Sequence, residues 1–230
     1  MPTIAIVGAG SGLGLALART FGSRGFTVAL IARNREKLDA LVEQLASEGI
    51  TAAAFTADVH DRPRLTQALT DAALHFGGID VLEYSPGGTA ATTKLVMPSQ
   101  SSPDDVQSQI EFQLYGAITA TAAVLPALRD AGTGTLLFTT GAGSVDPVPM
   151  VGNVNAAAAA LRNWAINLHK ELAGTGVYAA HVGIDVVIGG SENNESVIPG
   201  FPVAPAQDIA AAYWDLHVKR QEAEFIFTAP

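Results

Sequence analysis

Short apolar runs alternate with segments of helical periodicity along most of the chain. The runs that predict strands lie at residues 3–7, 27–32, 52–55, 79–83, 135–139, 177–182 and 223–227. Between them, apolar residues recur every three or four positions, which predicts helices at 13–21, 38–45, 65–76, 105–129 and 155–172. Strands that are apolar throughout and separated by helices are typical of a parallel sheet covered on both faces. We therefore predict an α/β fold with one doubly wound, mostly parallel sheet.

The length of the chain is that of one domain. Its 230 residues can enclose a single sizeable core, and no internal repeat or low-complexity linker divides them. We predict one domain over residues 1–230. Prolines, glycines and polar residues are concentrated at 189–205, which predicts a mobile loop there and a candidate lid.

Composition and charge exclude several classes of function. The chain has 22 acidic and 13 basic residues, a net charge of −9, and this argues against a nucleic-acid partner. The basic residues are scattered, so a membrane surface is not an expected partner either. Cysteine is absent, which excludes disulfides and thiol catalysis, and the five histidines lack metal-ligand spacing. With no signal peptide or membrane span in view, we expect a cytoplasmic protein without a metal.

A glycine-rich stretch, residues 6–14, follows the first predicted strand and opens the first predicted helix. Glycines there let the backbone approach a pyrophosphate, and the helix N-terminus supplies free N–H groups and a positive dipole end. The order strand, glycine loop, helix is the context that a dinucleotide site requires. A glycine-rich turn without a ligand is the alternative. The residues predicted to bind the cofactor here are Gly8, Gly10, Ser11, Gly12, Leu13 and Gly14.

The end of the second predicted strand indicates which dinucleotide binds. An NAD site places a carboxylate there for the ribose hydroxyls, but this chain has Ala32 and Arg33. A guanidinium can hold a 2′-phosphate with charge-assisted hydrogen bonds, which favours NADP(H) over NAD(H). A solvated surface cation is the alternative for Arg33. At the end of the third strand, Asp58, followed by Val59, can accept a hydrogen bond from the adenine amino group or cap a turn.

These features resemble those of the short-chain dehydrogenase/reductase family over nearly the whole chain. Gly8, Gly12 and Gly14 match the family's Gly-x-x-x-Gly-x-Gly pattern, and Gly87 matches the last residue of its Asn-Asn-Ala-Gly motif. The resemblance implies one Rossmann-type domain with a parallel sheet of about seven strands and helices on both faces. It also implies an oxidoreductase that uses Asn, Ser, Tyr and Lys in catalysis.

The family's catalytic residues are poorly matched in this chain. Its asparagine, serine, tyrosine and lysine fall respectively on Gln113, on Thr140 or Gly141, on Val154 or Val151, and on Ala158. Valine cannot transfer a proton, and alanine can neither lower a neighbour's pKa nor bond a ribose hydroxyl. The sequence therefore predicts an atypical active site without the usual proton relay.

Other polar side chains near the predicted cleft are candidates for the missing roles. Hydroxyls and amides can hydrogen-bond or polarise a carbonyl, and a phenol can exchange a proton. Packing or turn roles are the alternative for each of them. The candidates are Thr140, Asn153, Tyr84 and Gln113.

Two functions follow from these residues. The first is an NADP(H)-dependent oxidoreductase with a non-standard site, acting on a small-molecule carbonyl or imine. The second is a catalytically silent nucleotide-binding sensor or partner protein of the same fold; a lyase or isomerase is a third and weaker alternative. Because the predicted helices at 105–129 and 155–172 are apolar around much of their circumference, we expect a homodimer or homotetramer.

Overall fold

One parallel sheet forms the centre of the molecule. In this computed structural model, which describes residues 1–87, 93–189 and 201–229, its strands are β1 (Thr3–Val7), β2 (Thr27–Ala32), β3 (Ala52–Thr56), β4 (Val81–Tyr84), β5 (Gly134–Gly141), β6 (Val177–Asp185) and β9 (Glu224–Thr228). They lie in the order β3-β2-β1-β4-β5-β6-β9 and all pair in parallel. The strand order reverses between β1 and β4: β2 and β3 are added on one side of β1, and β4 and the later strands on the other. Folds of this kind bind ligands at that switch point. The predicted doubly wound parallel sheet is confirmed.

Helices cover both faces of this sheet. They are α1 (Leu13–Gly22), α2 (Arg35–Ser47), α3 (Arg62–Phe76), α4 (Pro103–Ile110), α5 (Gly116–Ala131), α6 (Gly152–Glu171) and α7 (Ala206–Lys219). One hydrophobic core joins α1, α2 and α7 to one face of the sheet, and a second joins α3, α5 and α6 to the other. Side chains of the central strands are buried on both sides, which explains why those strands are apolar throughout.

The helix predicted at 105–129 is interrupted. A π-helical turn, Glu111–Tyr115, separates α4 from α5, and the Gly116 N–H donates to the Glu111 carbonyl, five residues back. The Phe112 carbonyl, which an α-helix would pair with Gly116, instead accepts a hydrogen bond of 2.6 Å from the Tyr84 hydroxyl. A Cβ at Gly116 would collide with that hydroxyl. A buried tyrosine on β4 therefore sets the shape of this helix, and periodicity along the helix could not reveal it.

The C-terminal part differs most from the sequence prediction. Helix α7 was not predicted, although Ile209, Tyr213 and Leu216 have helical spacing and are buried against the sheet. A small two-stranded parallel pair, β7 (Val187–Gly189) and β8 (Val203–Pro205), brackets the predicted lid. Residues 190–200 of that predicted loop lie outside the described residues, so the lid stays a prediction.

In residues 1–87, 93–189 and 201–229, no helix is long and apolar enough to cross a bilayer. In the same ranges, no three or more His, Asp or Glu side chains are grouped so that they could hold a metal ion.

Candidate functional site

A cleft of about 480 Å³ opens beyond the carboxyl ends of β1, β2 and β4. It contains most of the residues predicted to hold a dinucleotide: Gly8, Gly10, Ser11, Gly12, Arg33, Val59 and Gly87. Leu13 and Gly14 are buried in the first turn of α1, behind the loop, and Asp58 faces a neighbouring depression beside His60. The ring of Phe112, on the π-helical turn, also lines the cleft, and nothing in the sequence pattern had marked it.

The glycines of the loop have different structural roles. Gly8 has a φ of +103°, and a Cβ there would lie 2.6 Å from the backbone of Pro86. A Cβ at Gly14 would lie 2.9 Å from the Cα of Ala9, whereas the space beside Gly10 is open. Gly8 and Gly14 therefore let the loop pack tightly against the strands and the helix, and Gly10 leaves backbone exposed to the cleft.

The N-terminus of α1 fits a bound anion. Its N-cap, Gly12, makes no side-chain capping bond, and the first turn contains no acidic residue. The N–H groups at such an end need acceptors, and the helix dipole favours negative charge there. Because the open backbone at Gly10 faces the same cleft, the residues present fit the pyrophosphate of a dinucleotide.

Arg33 lines the cleft just beyond the end of β2. Its side chain is 58% exposed, and its Nη1 is 4.0 Å from Oδ2 of Asp58. Such an exposed, distant pair is weak, so the guanidinium can turn to a phosphate at little cost. Asp58 Oδ1 accepts hydrogen bonds of 3.0 Å from the His60 backbone N–H and ring Nδ1. Partial burial alone would raise the pKa of Asp58, but these hydrogen bonds lower it, and Asp58 has the predicted turn role.

Tyr84 does not reach the cleft. It is fully buried on the α5 side of the sheet, and its hydroxyl donates to the Phe112 carbonyl. Burial raises the pKa of Tyr84 far above its ordinary value, so it cannot exchange protons near neutral pH. The prediction of Tyr84 as a proton donor or acceptor is wrong. Its function is to hold the π-helical turn that brings Phe112 to the cleft.

The two amide candidates bind backbone rather than open space. Asn153 is buried; its Oδ1 accepts a hydrogen bond of 3.1 Å from the Val96 N–H, and its Nδ2 donates to the Lys94 carbonyl at 2.8 Å. Both polar atoms are thereby occupied, which contradicts a role for Asn153 in polarising a substrate. Gln113 donates through Nε2 to the carbonyl of Val154, at 3.3 Å. It fixes the backbone at the position that matches the family's tyrosine.

Thr140 is the one catalytic candidate that the structure places in a network with other reactive groups. Its Oγ1 lies 2.7 Å from Nε2 of His181 and 3.0 Å from the Ser144 hydroxyl. The ring Nδ1 of His181 lies 3.0 Å from Oε1 of Glu224. Sequence analysis missed His181, Ser144 and Glu224; a lone histidine within the otherwise apolar sixth strand was the available signal.

The positions that match the family's tyrosine and lysine carry no polar side chain, and neither does Gly141, one of the two positions that match its serine. Ala158 is 3% exposed, and Val154 is half-buried beside it on α6. Gly141 ends β5 in an extended conformation, and no atom beyond its chain neighbours lies within 4 Å of where its Cβ would be. Open space therefore exists beside Gly141, at the end of β5.

A second buried polar group lies on the opposite face of the sheet, on β4 beside β5. Glu83 is fully buried; its Oε1 accepts a hydrogen bond of 2.8 Å from Thr139, and its Oε2 accepts one of 2.9 Å from Ser85. The Tyr213 hydroxyl of α7 lies 2.6 Å from Thr139 Oγ1. Burial raises the pKa of Glu83 to about 8, although both hydrogen bonds oppose this.

Comparison with known proteins gives one family. The family model for short chain dehydrogenases matches residues 2–191. The chain is similar to a 3-dehydrosphinganine reductase of Arabidopsis thaliana, with 36% identity over 126 residues; this is 54% of the chain but only 36% of that enzyme's length.

Two solved structures have nearly the same fold. The L-sorbose reductase of Gluconobacter frateurii, complexed with NADPH and L-sorbose, has a TM-score of 0.84 at 18% identity, covering 98% of this chain and 94% of that one. A short chain oxidoreductase of Pseudomonas aeruginosa, described as containing an atypical catalytic center, has a TM-score of 0.85 at 20% identity, with coverage of 98% and 94%. At these identities the likeness shows a shared fold.

The buried Glu83 predicts a characteristic dependence of stability on pH. Its carboxyl ionises near 4.5 in the unfolded chain but only near 8 in the folded protein. Its contribution to stability is therefore complete below pH 4.5 and is lost as the pH rises to 8, by on the order of 3 to 5 kcal/mol. Glu83→Gln should remove this slope. The measurement is the free energy of unfolding in urea between pH 5 and 8.

Glu43→Gln, at an exposed glutamate on α2, is the matched control and should keep the wild-type slope. Subtracting the Glu83→Gln curve from the wild-type curve cancels the titration of all other groups. A difference that stays constant between pH 5 and 8 would contradict the raised pKa.

Proposed function

Because the chain belongs to the short-chain dehydrogenase family, we propose that it is an oxidoreductase that binds NADP(H) and acts on a carbonyl or imine at a non-standard site. The observation that carries this proposal is the cleft itself. A helix N-terminus without a side-chain cap, an open glycine backbone and Arg33 line one continuous space. These are the groups that a pyrophosphate and a 2′-phosphate require.

The chain's own residues would divide the cofactor between them. The loop from Gly8 to Gly12 would hold the pyrophosphate, Arg33 the 2′-phosphate, and Gly87 would leave room beside β4. NADPH is the dinucleotide named for the similar L-sorbose reductase, which supports NADP(H) over NAD(H). When bound, the cofactor supplies or accepts the hydride; the protein has to position the substrate and move a proton.

Few side chains at the matched positions of this protein could transfer the proton that the reaction requires. Val154 and Ala158 have no exchangeable proton, and the structure places Tyr84 and Asn153 in other roles. Thr140, at the carboxyl end of β5 next to the open space at Gly141, is the remaining candidate at the matched positions. We propose that the Thr140 hydroxyl bonds either the substrate oxygen itself or a side chain that bonds the substrate oxygen.

A catalytically silent nucleotide-binding protein is the second candidate. It is favoured by the absence of the tyrosine and lysine side chains at Val154 and Ala158. A sensor or partner protein would retain the phosphate cleft and lose the chemistry. The two candidates make the same prediction for cofactor binding and differ in turnover.

The cofactor proposal predicts that Arg33→Ala weakens NADPH binding by about 10- to 30-fold, because one charge-assisted contact with the 2′-phosphate is lost. Binding of NADH should change by less than about twofold, since NADH has no such phosphate. Calorimetric titration with each cofactor measures both constants. Arg35→Ala is the matched control, because Arg35 pairs with Asp39 at 2.9 Å and does not line the cleft. Equal loss for NADPH and NADH would contradict the assignment of Arg33.

Turnover separates the enzyme from the silent protein. Incubation of the purified protein with NADPH and a panel of ketones, aldehydes and imines should give loss of NADPH absorbance with at least one of them. Tight NADPH binding without turnover on the whole panel, and without the reverse reaction from NADP⁺ and alcohols, would favour the silent alternative. Failure to bind either dinucleotide would contradict both candidates.

We also propose a homodimer or homotetramer formed through α5 and α6. Their outer surfaces expose apolar and small side chains: Ile118, Ala122, Ala156 and Ala159. Small residues let helices of two copies approach closely. Light scattering of the purified protein should give a mass of two or four chains. An Ala159→Glu variant should reduce that mass, and a wild-type mass of one chain would contradict the proposal.

A further inference from the structure

A continuous chain of hydrogen bonds runs through the interior from the carboxyl end of β5 to the edge strand β9. The Thr140 hydroxyl lies 2.7 Å from His181 Nε2. It also lies 3.0 Å from two further acceptors, Ser144 Oγ in the turn after β5 and the Gly141 carbonyl. His181 contacts Glu224 at 3.0 Å, and Arg162 of α6 holds the other oxygen of that carboxylate at 2.7 Å. The side chains of Thr140, His181 and Glu224 project from their strands toward α6. Those of Thr139 and Glu83 project to the opposite face of the sheet.

The protonation of this chain follows from its charged end. Paired with Arg162 and His181, the carboxyl of Glu224 has a lowered pKa, so it accepts hydrogen bonds as a carboxylate. Its neighbour, His181 Nδ1, must then carry a proton. Burial lowers the pKa of His181 to about 4, against the opposing effect of Glu224, so the neutral ring keeps a lone pair on Nε2. Thr140 has one hydroxyl proton and three acceptors within reach of it, of which the Nε2 lone pair at 2.7 Å is the nearest. When that proton points to Nε2, the bond from Thr140 to Ser144 Oγ is not made.

The two ends of the chain reach different surroundings. Thr140 lies at the carboxyl end of β5 and Ser144 in the turn that follows it, both buried; between them along the chain, the Cβ position of Gly141 is open. His181 is completely buried. The side chains of Glu224 and Arg162 are 25% and 32% exposed. A path through the protein interior thus connects the carboxyl end of β5 with solvent at β9.

We propose that Ser144, Thr140, His181 and Glu224 form a proton relay that replaces the missing tyrosine and lysine. This inference rests on the proposed function. In alcohol oxidation, the substrate O–H bond breaks as its proton passes to Ser144 Oγ. Thr140 is the donor of the bond to Ser144 in the resting structure, so the Ser144 hydroxyl has to turn toward Thr140 Oγ1, 3.0 Å away. The Ser144 proton then passes to Thr140 as the Thr140 proton passes to His181 Nε2. The imidazolium is stabilised by the Glu224 carboxylate, through which it returns the proton to solvent; carbonyl reduction runs these transfers backwards.

The kinetic test compares two neighbouring threonines. Thr140→Val and Ser144→Ala should each lower kcat by about 100-fold or more, because each interrupts the relay. The substrate KM and the Kd for NADPH should stay within about threefold, and Thr140→Ser should restore most of kcat. Thr139→Val is the matched control: it removes a hydroxyl from the next residue of β5, on the opposite face, and should leave kcat within about threefold.

A second readout does not depend on turnover. Nitrogen-15 NMR of the His181 ring should show the proton on Nδ1 and a hydrogen-bonded, unprotonated Nε2. In Thr140→Val the Nε2 resonance should move toward that of an unbonded ring nitrogen, and in Thr139→Val it should not move. A proton on Nε2 in the wild-type protein would overturn the relay. The NMR spectrum reports the protonation of the His181 ring directly. If Thr140→Val folds poorly, the wild-type spectrum and the Ser144→Ala variant therefore still test the relay.

The outcomes also separate this inference from the proposed function. If wild-type protein turns over a substrate and Thr140→Val, Ser144→Ala and Thr139→Val do so equally well, the relay is overturned and the oxidoreductase is retained. If wild-type protein binds NADPH but turns over nothing, the oxidoreductase and its relay are both overturned. Loss of kcat in Thr140→Val and Ser144→Ala alone, with rescue by Thr140→Ser, supports both.

Discussion

The close approach of two backbones at the switch point of the sheet is the constraint on which the cleft depends. Gly8 leaves β1 with a φ of +103° and passes so near Ser85 and Pro86 that no side chain fits between them. Its N–H donates to the Ile31 carbonyl of β2 at 2.9 Å, so one residue joins three neighbouring strands. This contact sets where α1 begins and where Gly87 leaves β4, and it thereby shapes the space that a dinucleotide would enter.

A second constraint on the shape of the cleft comes from Tyr84, which is buried between β4 and α5. Tyr84 stands where the family's motif has an asparagine, and its side chain is completely buried. It inserts under α5, where Gly116 leaves space for the hydroxyl and Phe112 gives it a carbonyl. The resulting π-helical turn moves Phe112 to the cleft and Gln113 to the backbone of Val154. Such turns are often found at functional sites, and here one substitution on β4 reshapes the wall of the site.

Sequence patterns predicted the fold because its strands and glycine loop leave local signals. Apolar runs identified the central strands, and the glycines identified the loop that lines the cleft. Contacts between residues far apart in the chain left no such signal. Asn153 looked free for catalysis but binds Val96, 57 residues away, and His181 looked like an isolated histidine although Thr140 and Glu224 flank it. Predictions of side-chain roles were therefore wrong or absent where the role depends on tertiary partners. Helix α7 is a different case, because its periodicity is present in the sequence but was not recognised.

The two polar networks beside β5 are a costly way to fill a core. Burying a carboxyl at Glu83 and an imidazole at His181 loses hydration, and apolar residues of similar size often give equal or greater stability. Both networks are nevertheless satisfied: in the described ranges, Thr121 Oγ1 is the buried side-chain polar atom without a partner. They flank consecutive residues, Thr139 and Thr140, at the strand end where the family performs its chemistry. The proposed relay would account for the cost of the Thr140–His181 network, whereas the Glu83 network has no part in that relay and loses stability as the pH rises.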